Sequence, residues 1–467
     1  MSSEPLDLAV CGGTVVSARG RHRIDLGVRG GVVVSRAAPG ELGPARTSID
    51  AHGLFVLPGI VDTHFHCRAP DHPEREDFDS GTAAAAAGGV TTIVEMPISE
   101  PACSTPEILE ARMELASGQA RIDVGFYAAV GDLDTPRLDE MAAAGAIAFK
   151  AMMHAAPAGR EASFRGLALP EDRDMFRALE AVQTTGRVLA VHAEHQQLID
   201  LFEARERAAG RNDPAAHARS RPDVAESAAV ARLGAMNEVV GARVHVVHLS
   251  SGRALEYVRW FRQRGQAMTA ETTPAYLFAD DEDVARYGPF VKINPPLRTP
   301  MDRRDLRAGL EDGAIDMVVS DHAPFLGYEK EAGWTDIWSV GSGIPGVELT
   351  GRLLWHEALS ENGSRLEDVV AWTSERPAEI FGLAGRKGHL GVGADADMVL
   401  LDPTRETVLT ADTFWTRSRD AIRHVLGARC RGAIASVWSR GRKVADGGNV
   451  VAEPGSGRVV GPDGVAL

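Results

Sequence analysis

Cysteine is scarce: Cys11, Cys67, Cys103 and Cys430 are the four in 467 residues. They are too widely spaced for a disulfide scaffold or a paired thiolate metal motif. Reduced thiols are the expectation, and with them a cytoplasmic location. Positive charge is also in deficit. Lys and Arg number 50 against 65 Asp and Glu, a formal net charge of −15, so the basic footprint that nucleic acid or an anionic membrane requires is missing. No apolar run approaches the roughly 18 residues of a membrane span, and the N-terminal stretch lacks the basic start and apolar core of a secretory leader. Gly391 and Gly393 lack the third, helix-opening glycine of a dinucleotide loop. The alanine run at 83–87, stopped by Gly88 and Gly89, reads as a helix rather than as low complexity.

What the chain does contain is a set of apolar runs that close on metal-binding side chains. The run LPGIVDTHFH at 57–66 ends on His64 and His66. Alternate side chains of a strand share one face, so both imidazoles can reach a single cation. Four other runs end alike: 146–150 on Lys150, 187–192 on His192, 244–248 on His248 and 315–321 on Asp321. Strand-like runs at 91–95, 124–129 and 266–271 bring the total to eight, with helical stretches such as 106–118 and 172–186 between them. Eightfold alternation predicts an α/β fold, a parallel eight-stranded TIM-like barrel with its functional residues at the carboxyl ends of the strands. The candidates then occupy strands one, four, five, six and eight. Buried singly, each would cost several kcal/mol. Convergence on metal relieves that cost.

Residues 57–386 are assigned to the barrel. The flanks, 1–56 and 387–467, are rich in Val and Gly with turn signals at 12–13 and 30–31. They read as short antiparallel strands that build one small β-sandwich from both termini. Cys67 follows His66 directly, and alternation turns it away from the cluster and into packing.

Several segments carry a family resemblance: DAHGLFVLPG at 50–59, GGVTT at 88–92, ETTP at 271–274, NPPLR at 294–298, SDHAP at 320–324 and GVGADAD at 391–397. Together they resemble the cyclic amidohydrolases of the amidohydrolase superfamily, the group of dihydroorotase, allantoinase and the hydantoinases or dihydropyrimidinases. The likeness runs nearly end to end. It implies that carbon dioxide carboxylates Lys150, which then bridges two divalent metal ions, usually Zn2+. His64, His66 and Asp321 are implied ligands of one ion, and His192 and His248 of the other. A desolvated amine near two cations loses its proton and can add carbon dioxide, becoming an anionic two-oxygen donor. A divalent pair supplies hydroxide near neutral pH. Asp321 would take its proton and pass it to the leaving ring nitrogen. The resemblance also implies a homo-oligomer, dimer or tetramer.

Arg68 matches the arginine that holds the substrate carboxylate in dihydroorotases, and a guanidinium fork suits that task. The partner asparagine and histidine of that group fall at Ile98 and Phe325, both apolar. Hydantoinases place an oxyanion-steadying tyrosine where this chain has Ala155, next to His154, which is the candidate substitute donor. Asn294 is a further substrate contact. The insertion at 154–169 is expected to shape the mouth, with Trp334 and Trp338 as lid candidates. The resulting expectation is an allantoinase-like hydrolase opening a small cyclic amide or ureide. Dihydroorotase, hydantoinase or dihydropyrimidinase, and cyclic imide hydrolase are the alternatives. From other classes come a non-catalytic assembly homologue, opposed by the full ligand set, and a mononuclear deaminase, opposed by Lys150.

Overall fold

The computed structural model describes residues 4–361 and 363–467; residues 1–3, where the stretch read for a leader begins, lie outside this range. Eight parallel strands form one sheet in sequence order. We label them β1 (Ile60–Phe65), β2 (Val90–Glu95), β3 (Asp123–Ala129), β4 (Ala148–Met152), β5 (Val188–His192), β6 (Arg243–Val246), β7 (Met268–Thr272) and β8 (Met317–Val318). Beyond β8, Phe65 bridges His322 in parallel, and the His66 amide donates to the His322 carbonyl at 2.9 Å. The last strand thereby meets the first. Every residue of β1 to β5 is buried, as expected of strands covered on both faces.

The helices between strands start and stop where the chain chemistry dictates. Asp77 caps Phe78–Ala87 through a capping box with Ser80, and Thr105 caps Pro106–Gln119, whose first residue is proline. Asp172–Thr185 turns Met175, Ala178, Leu179 and Val182 inward and ends at Gly186, which has φ +67°. The alanine-rich run is indeed the first helix of the barrel.

Outside the barrel lie two smaller sheets. One contains Leu6–Cys11, Asp25–Arg29, Val32–Ala37 and Ala45–Asp50. The other has seven strands and joins Thr14–Ser17 and Phe55–Pro58 from the N-terminal side to Met398–Val408 and Arg429–Ser439 from the C-terminal side. Leu8, Leu26, Val28 and Val33 of the first sheet share a core with Val15, Val56, Met398 and Leu400 of the second, which is the packing of a sandwich.

Three details differ from the sequence-based expectation. The N-terminal strands are not all antiparallel, because Leu6–Cys11 pairs in parallel with Ala45–Asp50 and Thr14–Ser17 in parallel with Phe55–Pro58. The run 57–66 is not one strand. It changes sheets at Gly59, where a Cβ would stand 2.1 Å from Thr91 Oγ1 of β2. Finally, β4 continues two residues past Lys150, whereas β8 is only two residues long, so Asp321 sits on irregular chain beyond it.

Candidate active site

The carboxyl ends of the strands open into a cavity of about 500 Å³. His64, His66, Lys150, His192, His248 and Asp321 all line it. Ligand atoms of His64, His66 and Asp321 lie within 4.8 Å of one another; Asp321 Oδ1 is 3.3 Å from His64 Nε2 and 3.6 Å from His66 Nε2. His192 Nδ1 faces His248 Nε2 at 3.0 Å. Three of the five described non-glycine residues with positive φ are here: Arg68 (60°), His248 (39°) and Asp321 (43°). Such conformations cost on the order of 1–3 kcal/mol each and gather at functional sites.

The hydrogen bonds around the imidazoles decide what they can hold. His64 Nδ1 donates to Glu271 Oε1 at 2.5 Å, which leaves the Nε2 lone pair facing the Asp321 carboxylate. His192 Nε2 donates to Glu194 Oε2 at 2.7 Å, which leaves Nδ1 as the acceptor facing His248 Nε2. The His64 lone pair set against a carboxylate calls for a cation between them. Burial reinforces this by pushing the His66, His192 and His248 imidazoles below their usual pKa, toward the neutral form that ligates metal.

Lys150 is 1% exposed, and its Nζ has no hydrogen-bond partner among the described residues. Burial lowers its pKa to about 8, against the opposing pull of Glu271 and Asp321. A buried, unpartnered amine at the centre of a histidine cluster is costly as it stands. His66 Nδ1 and His248 Nδ1 are unpartnered as well. Burial also raises Asp321, with the His64 and Lys150 charges opposing. The donor set therefore fits divalent metal.

Four of the residues assigned to substrate line the cavity: Arg68, Ile98, His154 and Asn294. Asn294 Oδ1 is buried without a partner. Phe325 is not among the lining residues. Its ring lies beneath the guanidiniums of Arg68 at 5.1 Å and Arg75 at 4.5 Å, so it supports the wall from behind. His154 cannot serve as the donor proposed for it. Its Nδ1 donates to the Ala155 carbonyl at 2.7 Å, and burial lowers its pKa to about 3, so Nε2 is an acceptor. Trp338 lines the mouth with Arg207 stacked on it at 4.4 Å; Trp334 packs elsewhere, over Gly288. The insertion lines the cavity through Pro157, Arg160 and Phe164.

The amidohydrolase family model matches residues 55–444. The chain belongs to that family. An L-hydantoinase of Paenarthrobacter aurescens is 33% identical, covering 97% of this chain and 98% of its own. An allantoinase of Rubrobacter xylanophilus is 35% identical, covering 98% of each chain. Among solved structures, the L-hydantoinase (dihydropyrimidinase) of Arthrobacter aurescens superposes with a TM-score of 0.92 at 32% identity, covering 98% of this chain and 100% of that one. Divalent-metal chemistry is general in the amidohydrolase family, and the clusters above supply ligand groups for it. No helix among the described residues is long and apolar enough to cross a membrane.

Residues that pattern reading did not single out hold this amidohydrolase site in place. Glu271, fully buried, binds His64, accepts from His245 Nε2 at 3.0 Å and from the His248 amide at 3.2 Å. Burial raises its carboxyl, but His64 and His245 outweigh this and bring it down to about 2. Glu194 carries Arg221 at 2.5 Å beside His192. Asp62 Oδ1 accepts from the Ser320 and His64 amides and so ties β8 to β1. The signal for Glu271 was its place at the end of an apolar strand, the same signal that marked the ligands.

Proposed function

We propose that this protein hydrolyses a C–N bond of a small cyclic amide or ureide and opens the ring, in the manner of an allantoinase, with a hydantoinase-type ring as the second reading. The observation that carries it is Lys150, a buried and unpartnered amine among four histidines and an aspartate. Carboxylated by carbon dioxide, Lys150 would become an anionic bridge between two divalent ions, Zn2+ first among them. His64, His66 and Asp321 would hold one ion, and His192 and His248 the other. When bound, such a pair supplies Lewis acidity toward a carbonyl and an acidified water.

The chain supplies the rest. Asp321, its carboxyl pushed up by burial, is suited to accept a proton and return it to the leaving ring nitrogen. Glu271 and Glu194 fix the His64 and His192 tautomers, so that no ligand lone pair is lost to rotation. Arg68, Asn294 and Ile98 bound the substrate space. The relatives named hydantoinase and allantoinase cover 97% and 98% of the chain, which supports an active enzyme over an assembly homologue. The fully thiol state of the cysteines fits the cytoplasm, and a dimer or tetramer is part of the same reading.

Purified protein from zinc-supplemented growth should carry close to two equivalents of metal by elemental analysis. It should open one ring from a panel of allantoin, hydantoin, dihydrouracil, dihydroorotate, succinimide and phthalimide. Less than one equivalent of metal, together with no ring opening after reconstitution, would refute the reading.

A further inference from the structure

His192 and His248 stand at the two ends of a closed circuit of polar contacts. His192 Nε2 donates to Glu194 Oε2 at 2.7 Å, and the same oxygen accepts from Arg221 Nη1. The Arg221 carbonyl accepts in turn from Arg298 Nη1, and Arg298 Nε donates to Ser250 Oγ at 3.1 Å. Ser250 lies just past His248 in the chain. Its hydroxyl donates to Glu226 Oε2 at 2.6 Å and its amide to Glu226 Oε1 at 2.8 Å. The circuit closes where His192 Nδ1 faces His248 Nε2 at 3.0 Å.

Each link has a physical reason. His248 has φ 39°, and backbone strain of that kind persists only where the surroundings over-determine it. Glu226 fixes the chain on one side of His248 through both polar groups of Ser250, and Glu271 takes the His248 amide on the other, at 3.2 Å. Arg221 and Glu226 flank the start of helix Asp223–Val240, so one short stretch serves both imidazoles. Arg298 spans the gap between them with two separated donors of one rigid fork, which a lysine cannot reproduce. Stability does not account for this arrangement. Arg298 Nη2 is buried without a hydrogen-bond partner and stands 3.7 Å from Glu226 Oε2, and burial raises the Glu226 carboxyl to about 7 against Arg298 and Ser250. Buried ions so loosely matched add little net stability. Among the described residues, Arg298, Ser250 and Glu226 make no hydrogen bond or ion pair to His64, His66 or Asp321.

We propose that Arg298 is a positioning residue for one metal ion only: by joining Arg221 to Ser250 it holds His192 and His248 at the spacing that the second ion requires, while the ion of His64, His66 and Asp321 does not depend on it. This deepens the binuclear reading above and rests on it. Groups that orient metal ligands from behind set metal affinity.

The test titrates zinc-loaded protein with a competing chelator and counts the retained zinc by elemental analysis. We expect Arg298→Met to release one equivalent at about 10- to 100-fold less chelator than the parent, and the other where the parent releases it. Ser250→Ala opens the same circuit at a small side chain and should shift that one equivalent by about tenfold. Excess Zn2+ should restore kcat in both variants, which a misfolded protein would not show. At a chelator concentration where Arg298→Met keeps one equivalent, adding His192→Ala should still leave one, and adding His66→Ala should leave none. Equal weakening of both equivalents, or release unchanged in Arg298→Met, would overturn the inference with the binuclear reading intact. If Arg298→Met does not fold, Ser250→Ala decides by the same readings. A parent holding fewer than two equivalents ends the binuclear reading and this inference with it.

Discussion

Two groups of buried ionisable side chains occupy opposite ends of the barrel, and both have the composition of a cation site. At the floor, Asp123 begins β3 and meets Asp395 and Asp397 from the segment leading into the sandwich, a triad that by geometry alone could hold a metal. It is already filled. Lys387 Nζ lies 2.5, 2.8 and 2.9 Å from the three carboxylates, Arg440 pairs with Asp123, and Arg386 pairs with Asp395. At the mouth, ligand atoms of His64, His66 and Asp321 converge within 4.8 Å, His192 Nδ1 faces His248 Nε2, and Lys150 makes no hydrogen bond to any of them among the described residues. The difference shows how to tell a staple from a site. A staple carries its own counter-charges and joins barrel to sandwich, whereas the mouth is complete only with something the chain does not encode.

The largest effect that would break this contrast lies at the mouth. Lys150→Ala should lower kcat by at least about a thousandfold and abolish tight loading of two metal equivalents. Its metal-free unfolding free energy should stay within about 1 kcal/mol of the parent, since relief of the buried, unpaired amine offsets the cavity left by its stem. Short carboxylic acids added in solution should restore part of the rate by standing in for the carbamate. Activity retained without rescue would show that Lys150 is not a bridge. Lys387→Met asks the opposite question at the floor. Removing the cation from three buried carboxylates should cost about 3–5 kcal/mol of stability, seen in denaturant unfolding, while metal content per folded molecule stays at two. A third metal equivalent bound by the variant would mean that the floor is a latent site and that the contrast is one of degree.

Much of the mouth was legible in the sequence because a parallel barrel places strand ends together. Polar residues closing apolar runs then stand out, as His64, Lys150 and Asp321 did. The barrel itself was legible from the alternation of strand-like and helical runs, and the two-terminus sandwich from flanks rich in Val and Gly with turn signals. What could not be read was anything set by contacts between distant segments. Phe325 occupies a position that promised a substrate contact, yet it lies under Arg68 and Arg75. His154 lost its donor to a neighbouring carbonyl. Gly59 breaks a continuous apolar run because Thr91 of the next strand leaves no room for a side chain, and periodicity along one strand does not record its neighbour. Arg160 and Arg68 are 92 positions apart in numbering, and only the fold shows that both line one cavity.

A smaller effect sharpens the account of how the mouth is kept in order. Glu271→Gln retains the shape but weakens the acceptor for His64, so metal affinity should fall about 10- to 100-fold. Titration with a competing chelator would measure this. An unchanged affinity would mean that packing alone orients His64.

The smallest expected effect concerns a carboxylate that resembles neither end. Glu348 is buried beside helix Val347–Ala358's own Arg352, whose Nη2 stands 3.8 Å away, and it accepts from the Trp415 and Thr416 amides at 2.9 and 3.1 Å. One distant cation does not match burial, which raises the carboxyl from 4.5 to about 7 against Arg352 and the two amides. The folded pKa is above the unfolded one, so this group's stabilising contribution is full below about pH 4.5 and is lost as pH rises through about 7. Glu348→Gln, neutral throughout, should escape that loss. In chelator-treated protein, the unfolding free energy of the variant relative to the parent should therefore improve by about 1–3 kcal/mol between pH 4.5 and pH 8. A difference that stays constant with pH would show that the amides and Arg352 together serve Glu348 as fully as Lys387 serves the floor, and partial pairing would then join complete pairing on the structural side of the contrast.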